Sequence, residues 1–179
     1  MYRAVTWLAM HNGVALDDAD AVASLTERME LTMDDLAVVV DGHDVTRAIR
    51  TPEINTAVSI IAANSRVRAE LVGRQRAWVE GRAGAVVEGR DIGSVVFPTA
   101  SLKIYLTARP EVRARRRAHE VGETDEGAIA QIASMLARRD AYDRSREDSP
   151  LVRPDGAKVL DTSDRDVDDI VEEIVRFLP

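Results

Sequence analysis

Beyond Gly84 the chain alternates short apolar runs with stretches of helical period, and this alternation restricts the fold more than any other feature. Residues 85–89 (AVVEG) and 102–108 (LKIYLTA) are nearly continuous apolar runs bounded by turn signals, as expected of strands buried on both faces of a sheet. Residues 110–120 and 128–144 carry helical spacing, the first opened by a proline where no amide hydrogen is needed. Residues 158–161 read as a last short strand and 167–178 as a closing amphipathic helix. The order predicts an α/β domain with a parallel sheet and helices over its faces.

The N-terminal half reads differently. Residues 2–11 predict a helix with Val5, Leu8 and Ala9 on one face, stopped at Asn12-Gly13, and a second helix is expected from Asp17 or Asp18. The run LAVVV at 36–40, followed by Asp41-Gly42, predicts a small hairpin returning through Val45. From Pro52 to Val79 the apolar residues Val58, Ile61, Val67, Leu71 and Trp78 keep a helical period, with Arg66, Arg68, Arg74 and Arg76 between them.

With 179 residues, 45% of them hydrophobic, the chain can bury one sizeable core, so one compact domain with a small insert is expected. No stretch has the length needed to span a membrane, and the first residues lack the apolar core and cleavage site of a secretory signal. Absence of cysteine removes disulfides and thiolate metal sites and fits a cytoplasmic protein. A net charge of -7 and an aromatic content of 4% argue against RNA or another nucleic acid polymer as partner. Lys103 and Lys158 are the only lysines, and every other basic side chain in that class is arginine. Arginine forks grip phosphates at two points, although GC-rich codon usage accounts for the overall excess equally well. His11, His43 and His119 stand apart at no ligand spacing, so no metal site is expected.

In parallel sheets a ligand sits outside the carboxyl ends of the strands. Glu88-Gly89-Arg90-Asp91 occupies such an end, with Gly89 and Gly93 expected to let the backbone turn sharply. An ordinary surface ion pair is the alternative for an isolated Gly-Arg-Asp. Arg139-Asp140, Asp143-Arg144 and Arg146 form a second cluster, with 139, 143 and 146 on one helical face. That cluster reads equally as a solvated helix end. Arg113, Arg115, Arg116 and Arg117 are a third group, either a solvent-exposed cationic face or a seat for an anionic ligand.

The segments MYRAVTWLA, AIRTPEINTAVSIIAANSRVRAELVGRQRAW, VVEGRDIGSVVFPTASLKIYLTARPEVRARRR, RRDAYDRSREDSPL and VLDTSDRDVDDIVEEIV span essentially the whole chain. Together they closely resemble the bacterial cytidylate kinases, nucleoside monophosphate kinases that move the terminal phosphoryl group of ATP to CMP or dCMP. The resemblance implies a parallel α/β core with flanking helices and a small monophosphate-binding insert. It divides the chain into a core helix region at 1–20, the insert at 21–60, and a core domain at 61–179 carrying a short lid at about 113–127. It places Ser59, Arg68 and Asp91 against the cytosine, and Arg139 and Asp143 at the sugar. Arg3, Arg90 and Arg146 become the clamp on the monophosphate, and Arg116 and Arg117, with Arg90, the contacts to transferring phosphates. A carboxylate at 91 accepts from the exocyclic amine that separates cytosine from uracil. The implied partners are CMP or dCMP and ATP with Mg2+, and the protein is expected to be a monomer.

One departure from the family matters. Such kinases open with a strand and a phosphate loop ending in Gly-Lys-Ser/Thr, and no GxxxxGK[ST] occurs in these residues. Met1 matches an internal family methionine, so the chain is expected to begin just after the ATP cradle, either as a truncation or from a misplaced start. The alternative expectation is a non-catalytic remnant that binds CMP or another protein.

Overall fold

The computed structural model describes residues 1–34 and 36–178, which form two compact units, Met1–Ala85 and Val86–Pro179. In the N-terminal unit, helix α1 (Tyr2–His11) packs against α2 (Ala19–Arg28) and α3 (Pro52–Ile61). Ala4, Val5, Leu8 and Ala9 recur at intervals of three and four residues, which places them on one face. All four are fully buried, against Val22, Ala23, Ile61, Val67 and Leu71. Burying one such leucine contributes roughly 1.5–3 kcal/mol. The helix stops where Asn12 donates its backbone amide to Leu8 and Gly13 takes a left-handed φ of 65°. The side chain of Asp18 caps α2 by accepting from Ala21 N at 3.0 Å, as its place before the apolar period led one to expect.

The hairpin is present and larger than expected. Strand β2 (Val38–Val40) pairs antiparallel with β3 (His43–Asp44) across Asp41-Gly42. Those two residues have φ of 47° and 80°, the consecutive left-handed conformations of a primed hairpin turn. On its other edge β2 pairs with β1 (Leu31–Met33), Leu31 opposite Val40. The long helical stretch from Pro52 is two helices, α3 and α4 (Ser65–Val79). Asn64 starts the second by accepting from the amides of Arg66 and Val67 at 3.0 and 3.2 Å, while its Nδ2 donates to Ala19 O at 2.8 Å.

In the C-terminal unit, β4 (Ile104–Thr107) and β5 (Lys158–Asp161) form a parallel pair running from Ile104 opposite Lys158 to Thr107 opposite Asp161. Between them α5 (Pro110–Glu120) and α6 (Glu126–Arg144) pack together, with Ala114 and Ala118 of α5 buried. The chain is thus α/β with a parallel sheet and flanking helices. Two expectations fail here. Residues 85–88 are not a strand, and Val86 is 99% exposed. An apolar run becomes a strand only where a neighbour completes its ladder, and the described parallel sheet has β4 and β5 alone. Nor is that pair buried on both faces, since Leu106 and Val159 are exposed. The closing helix α7 (Val167–Arg176) forms with Asp166 as its cap but buries none of its residues.

Candidate functional site

Two glycines shape the loop that carries Arg90 and Asp91. Neither takes a left-handed φ, so the sharp turn expected of them is not their function. They permit close approach instead. A Cβ on Gly89 would lie 2.8 Å from Ile92 Cγ1, and one on Gly93 would lie 2.9 Å from Pro154 Cγ and 3.2 Å from Lys103 Cδ. Asp91, 7% exposed, precedes a π-turn over Ile92–Val96. There Val96 N donates to Asp91 O and Phe97 N to Ile92 O. Widened turns of this kind recur at functional sites because they re-aim the residues beside them.

Arg90 reaches from this loop to α6, where two buried aspartates meet it. Its Nη1 donates to Asp140 Oδ1 at 2.7 Å, and its Nε lies 2.7 Å from Asp143 Oδ2. Asp140 gives its other oxygen to Arg113 Nη1 of α5, at 2.6 Å. Asp143 Oδ1 accepts from Arg146 Nη2, and Arg139 Nε stands 3.9 Å from Oδ2. Asp140 and Asp143, three residues apart, share a face of α6 and are 4% and 0% exposed. This is not a solvated helix end. Helix α6 itself stops at Arg144, so Arg146 lies beyond the helical face assigned to it and folds back onto Asp143.

Burial by itself would push the Asp140 carboxyl up. The hydrogen bonds from Arg113 and Arg90, together with their charges, outweigh burial and hold it below the ordinary aspartate range. Both carboxylates are therefore matched to cations, as burial demands. Hydrogen bonding is incomplete on both sides, since Asp143 Oδ2 lies 2.7 Å from Arg90 Nε without a well-aligned hydrogen bond. Arg146, whose side chain is 10% exposed, has a buried Nε for which no described residue supplies an acceptor. Three guanidiniums, from residues 90, 113 and 146, lie within 3 Å of two carboxylates, an arrangement with positive charge and donors to spare for an oxyanion.

Two other arginines of α5 have partners outside this cluster. Arg116 forks onto Thr162, through Nη1 to Oγ1 at 2.8 Å and Nη2 to the carbonyl. Arg117 pairs with Glu120 at 2.7 Å. In the N-terminal unit Arg3 Nη1 donates to Ile49 O at 3.0 Å, and Arg68, 5% exposed, donates to Ala62 O with its guanidinium 5.5 Å from the Tyr2 ring. Ser59 is half-buried on α3. The structure thus brings Arg90, Arg139, Asp143 and Arg146 into one cluster and adds Asp140 and Arg113, which local spacing did not single out as site residues. Among the described residues no group of three or more His, Asp or Glu is placed to hold a metal ion.

A family model described as cytidylate kinase matches residues 1–179. A cytidylate kinase from Shewanella sp. (strain MR-4) is 38% identical over 187 aligned residues, covering 99% of this chain and 80% of that protein. The cytidylate kinase of Shewanella oneidensis gives the same identity and coverage. A bifunctional pantoate ligase/cytidylate kinase from Synechococcus sp. (strain WH7803) is 42% identical over 99% of the chain, which corresponds to 38% of that longer protein.

Proposed function

The chain belongs to the cytidylate kinase family, and we propose that it takes CMP, and dCMP with it, as phosphoryl acceptor from ATP, in the cytoplasm and as a monomer. The observation that carries this reading is the buried Arg146 Nε without an acceptor, beside Arg90 and the two aspartates. A phosphate monoester supplies the missing acceptor and neutralises the excess cation. Arg90 and Arg146, joined by Arg3, hold that phosphate. Asp143 and Arg139 serve the ribose, whose hydroxyls a carboxylate accepts from. Asp91, with Arg68 and Ser59, reads the cytosine.

The chemistry asks little else of the protein. The acceptor phosphate, whose second pKa is about 6, is largely dianionic at neutral pH, so no general base is needed. One of its oxygens forms the new bond to the γ-phosphorus as the bond from that phosphorus to the β-bridging oxygen of ATP breaks, leaving ADP. Catalysis is then positioning and charge stabilisation. Arg90 holds the nucleophile, and Arg116 and Arg117, on the proposed lid at 113–127, exchange Thr162 and Glu120 for transferring phosphates. Mg2+ accompanies ATP in such reactions. The described residues include no group of three or more His, Asp or Glu placed to hold it.

A second reading, CMP binding without turnover, is favoured by one feature: these 179 residues contain no GxxxxGK[ST] loop to cradle ATP. Calorimetry with CMP, dCMP, UMP and cytidine, beside an ADP-release assay with ATP, tests both. The kinase reading expects CMP binding with turnover, the second CMP binding without it. Arg146→Ala should weaken CMP and UMP alike, while Asp91→Asn should lower the preference for CMP over UMP. A chain that binds neither CMP nor dCMP refutes both readings.

A further inference from the structure

The side chain of Asp140 touches two arginines drawn from different elements and is itself 6% exposed. Its oxygens are divided between them: Oδ1 receives Arg90 Nη1 and Oδ2 receives Arg113 Nη1, at 2.7 and 2.6 Å. The same Arg90 lies with its Nε 2.7 Å from Asp143. Arg90 is therefore paired with two carboxylates of one helix, by a hydrogen bond to Asp140 and a close charge contact to Asp143, which restricts the orientation of its fork. Held in this way, a guanidinium loses little freedom when a phosphate arrives, which is the main saving that preorganisation offers.

From this geometry we infer that Asp140 is a positioning residue for the acceptor phosphate, setting the orientation of Arg90 and tying it to Arg113 on α5. The inference rests on the reading of Arg90 as a phosphate-binding arginine. It also runs against a simple count of charge. A carboxylate beside a phosphate site repels the phosphate, so on charge alone its removal should tighten binding. If Asp140 acts through Arg90, neutralising it should weaken binding, because an amide keeps one acceptor oxygen for two arginines and turns a donor toward the other, so that Arg90 and Arg113 separate by repulsion and Arg90, left beside Asp143, changes orientation.

The sign of the effect decides between these. Calorimetry on the full chain would compare wild type and Asp140→Asn with two probes, CMP and cytidine, after thermal melts establish that both proteins are folded at the assay temperature. The expected result is CMP bound about ten-fold more weakly and cytidine within two-fold of wild type, since only the phosphate arm is misplaced. Tighter or unchanged CMP binding overturns the inference, and so does an equal loss for CMP and cytidine, which would mark a merely structural role. If Asp140→Asn does not fold, Asp140→Glu replaces it. The same charge on a longer arm shifts Arg90, so CMP should weaken about three-fold with cytidine unchanged, and wild-type affinity for CMP overturns the inference. A wild-type chain that binds no CMP defeats the functional reading and this inference together, whereas CMP binding that Asp140→Asn leaves intact defeats the inference alone.

Discussion

Replacing Asp143 by alanine removes the anion on which the C-terminal unit's arginines converge. Arg146 Nη2 donates to Oδ1, Arg90 Nε lies 2.7 Å from Oδ2, and Arg139 Nε lies 3.9 Å from the same oxygen, with Asp143 fully buried. At an effective dielectric constant of about 20, each charge pair at roughly 4 Å is worth about 4 kcal/mol. The two close pairs therefore give about 8 kcal/mol gross. The desolvation of a buried carboxylate offsets several kcal/mol of this, and removing one partner from buried pairs costs about 3–5 kcal/mol net. Domains have only about 5–15 kcal/mol to lose. With a urea slope of about 1.5 kcal/mol per molar, the midpoint should fall by roughly 2–3 M. The assay can assign the loss to one unit, because Trp7 and Trp78 both lie in Met1–Ala85. Circular dichroism should show an early transition that tryptophan fluorescence does not follow. A midpoint within about 0.5 M of wild type would refute the reasoning, since it would mean that the arginines relax into solvent and the cluster is not a coupled buried network.

The depressed Asp140 carboxyl makes stability depend on pH in a defined direction. Its folded value lies below its unfolded one because hydrogen bonds and charge from Arg113 and Arg90 overcome burial, so its contribution is complete at neutral pH and is lost as pH falls through the acid range below about 4. The stability gap between wild type and Asp140→Asn should be largest near pH 7 and should narrow below pH 4 in urea titrations. A gap that is constant with pH contradicts the assignment. Gly93→Ala places a methyl 2.9 Å from Pro154 Cγ and 3.2 Å from Lys103 Cδ. The proline ring cannot yield as the lysine chain can, so a loss of about 1–3 kcal/mol is expected by denaturation, and a neutral result would show that the loop at 89–93 relaxes freely.

The elements most legible in the sequence are those whose ends are marked by backbone chemistry. Asn12-Gly13 stops α1, Pro110 opens α5, Asp18 caps α2, and Asp41-Gly42 turns the hairpin. Each mark acts within a few residues. The gap between α3 and α4 is marked only by the Asn64 cap, since Ala62, Ala63 and Asn64 include neither glycine nor proline and the apolar period continues across them. Strand β1 is three residues long, too short for alternation to register. The run at 85–88 has strand composition without a ladder, which is a property of neighbours and not of the run.

The site divides along the same line. Arg139, Asp143 and Arg146 stand three and four residues apart in the sequence, a spacing that groups them but reads equally as a solvated helix end. Asp140 stands beside them in the sequence with nothing local to assign it a function, because its partners lie 27 and 50 residues away in the chain. A signal for it did exist. Asp140 and Asp143 are three apart amid Arg138, Arg139, Arg144 and Arg146, and two carboxylates on one helical face repel unless cations separate them. Arg146 from beyond the helix end, and Arg90 and Arg113 from elsewhere in the chain, are cations that do so. Asp140 is therefore better read as a fixed support and Arg90 and Arg113 as the groups it aims. On that reading, a conservative change at 140 should disturb recognition of the phosphate while recognition of the nucleoside stays within two-fold of wild type.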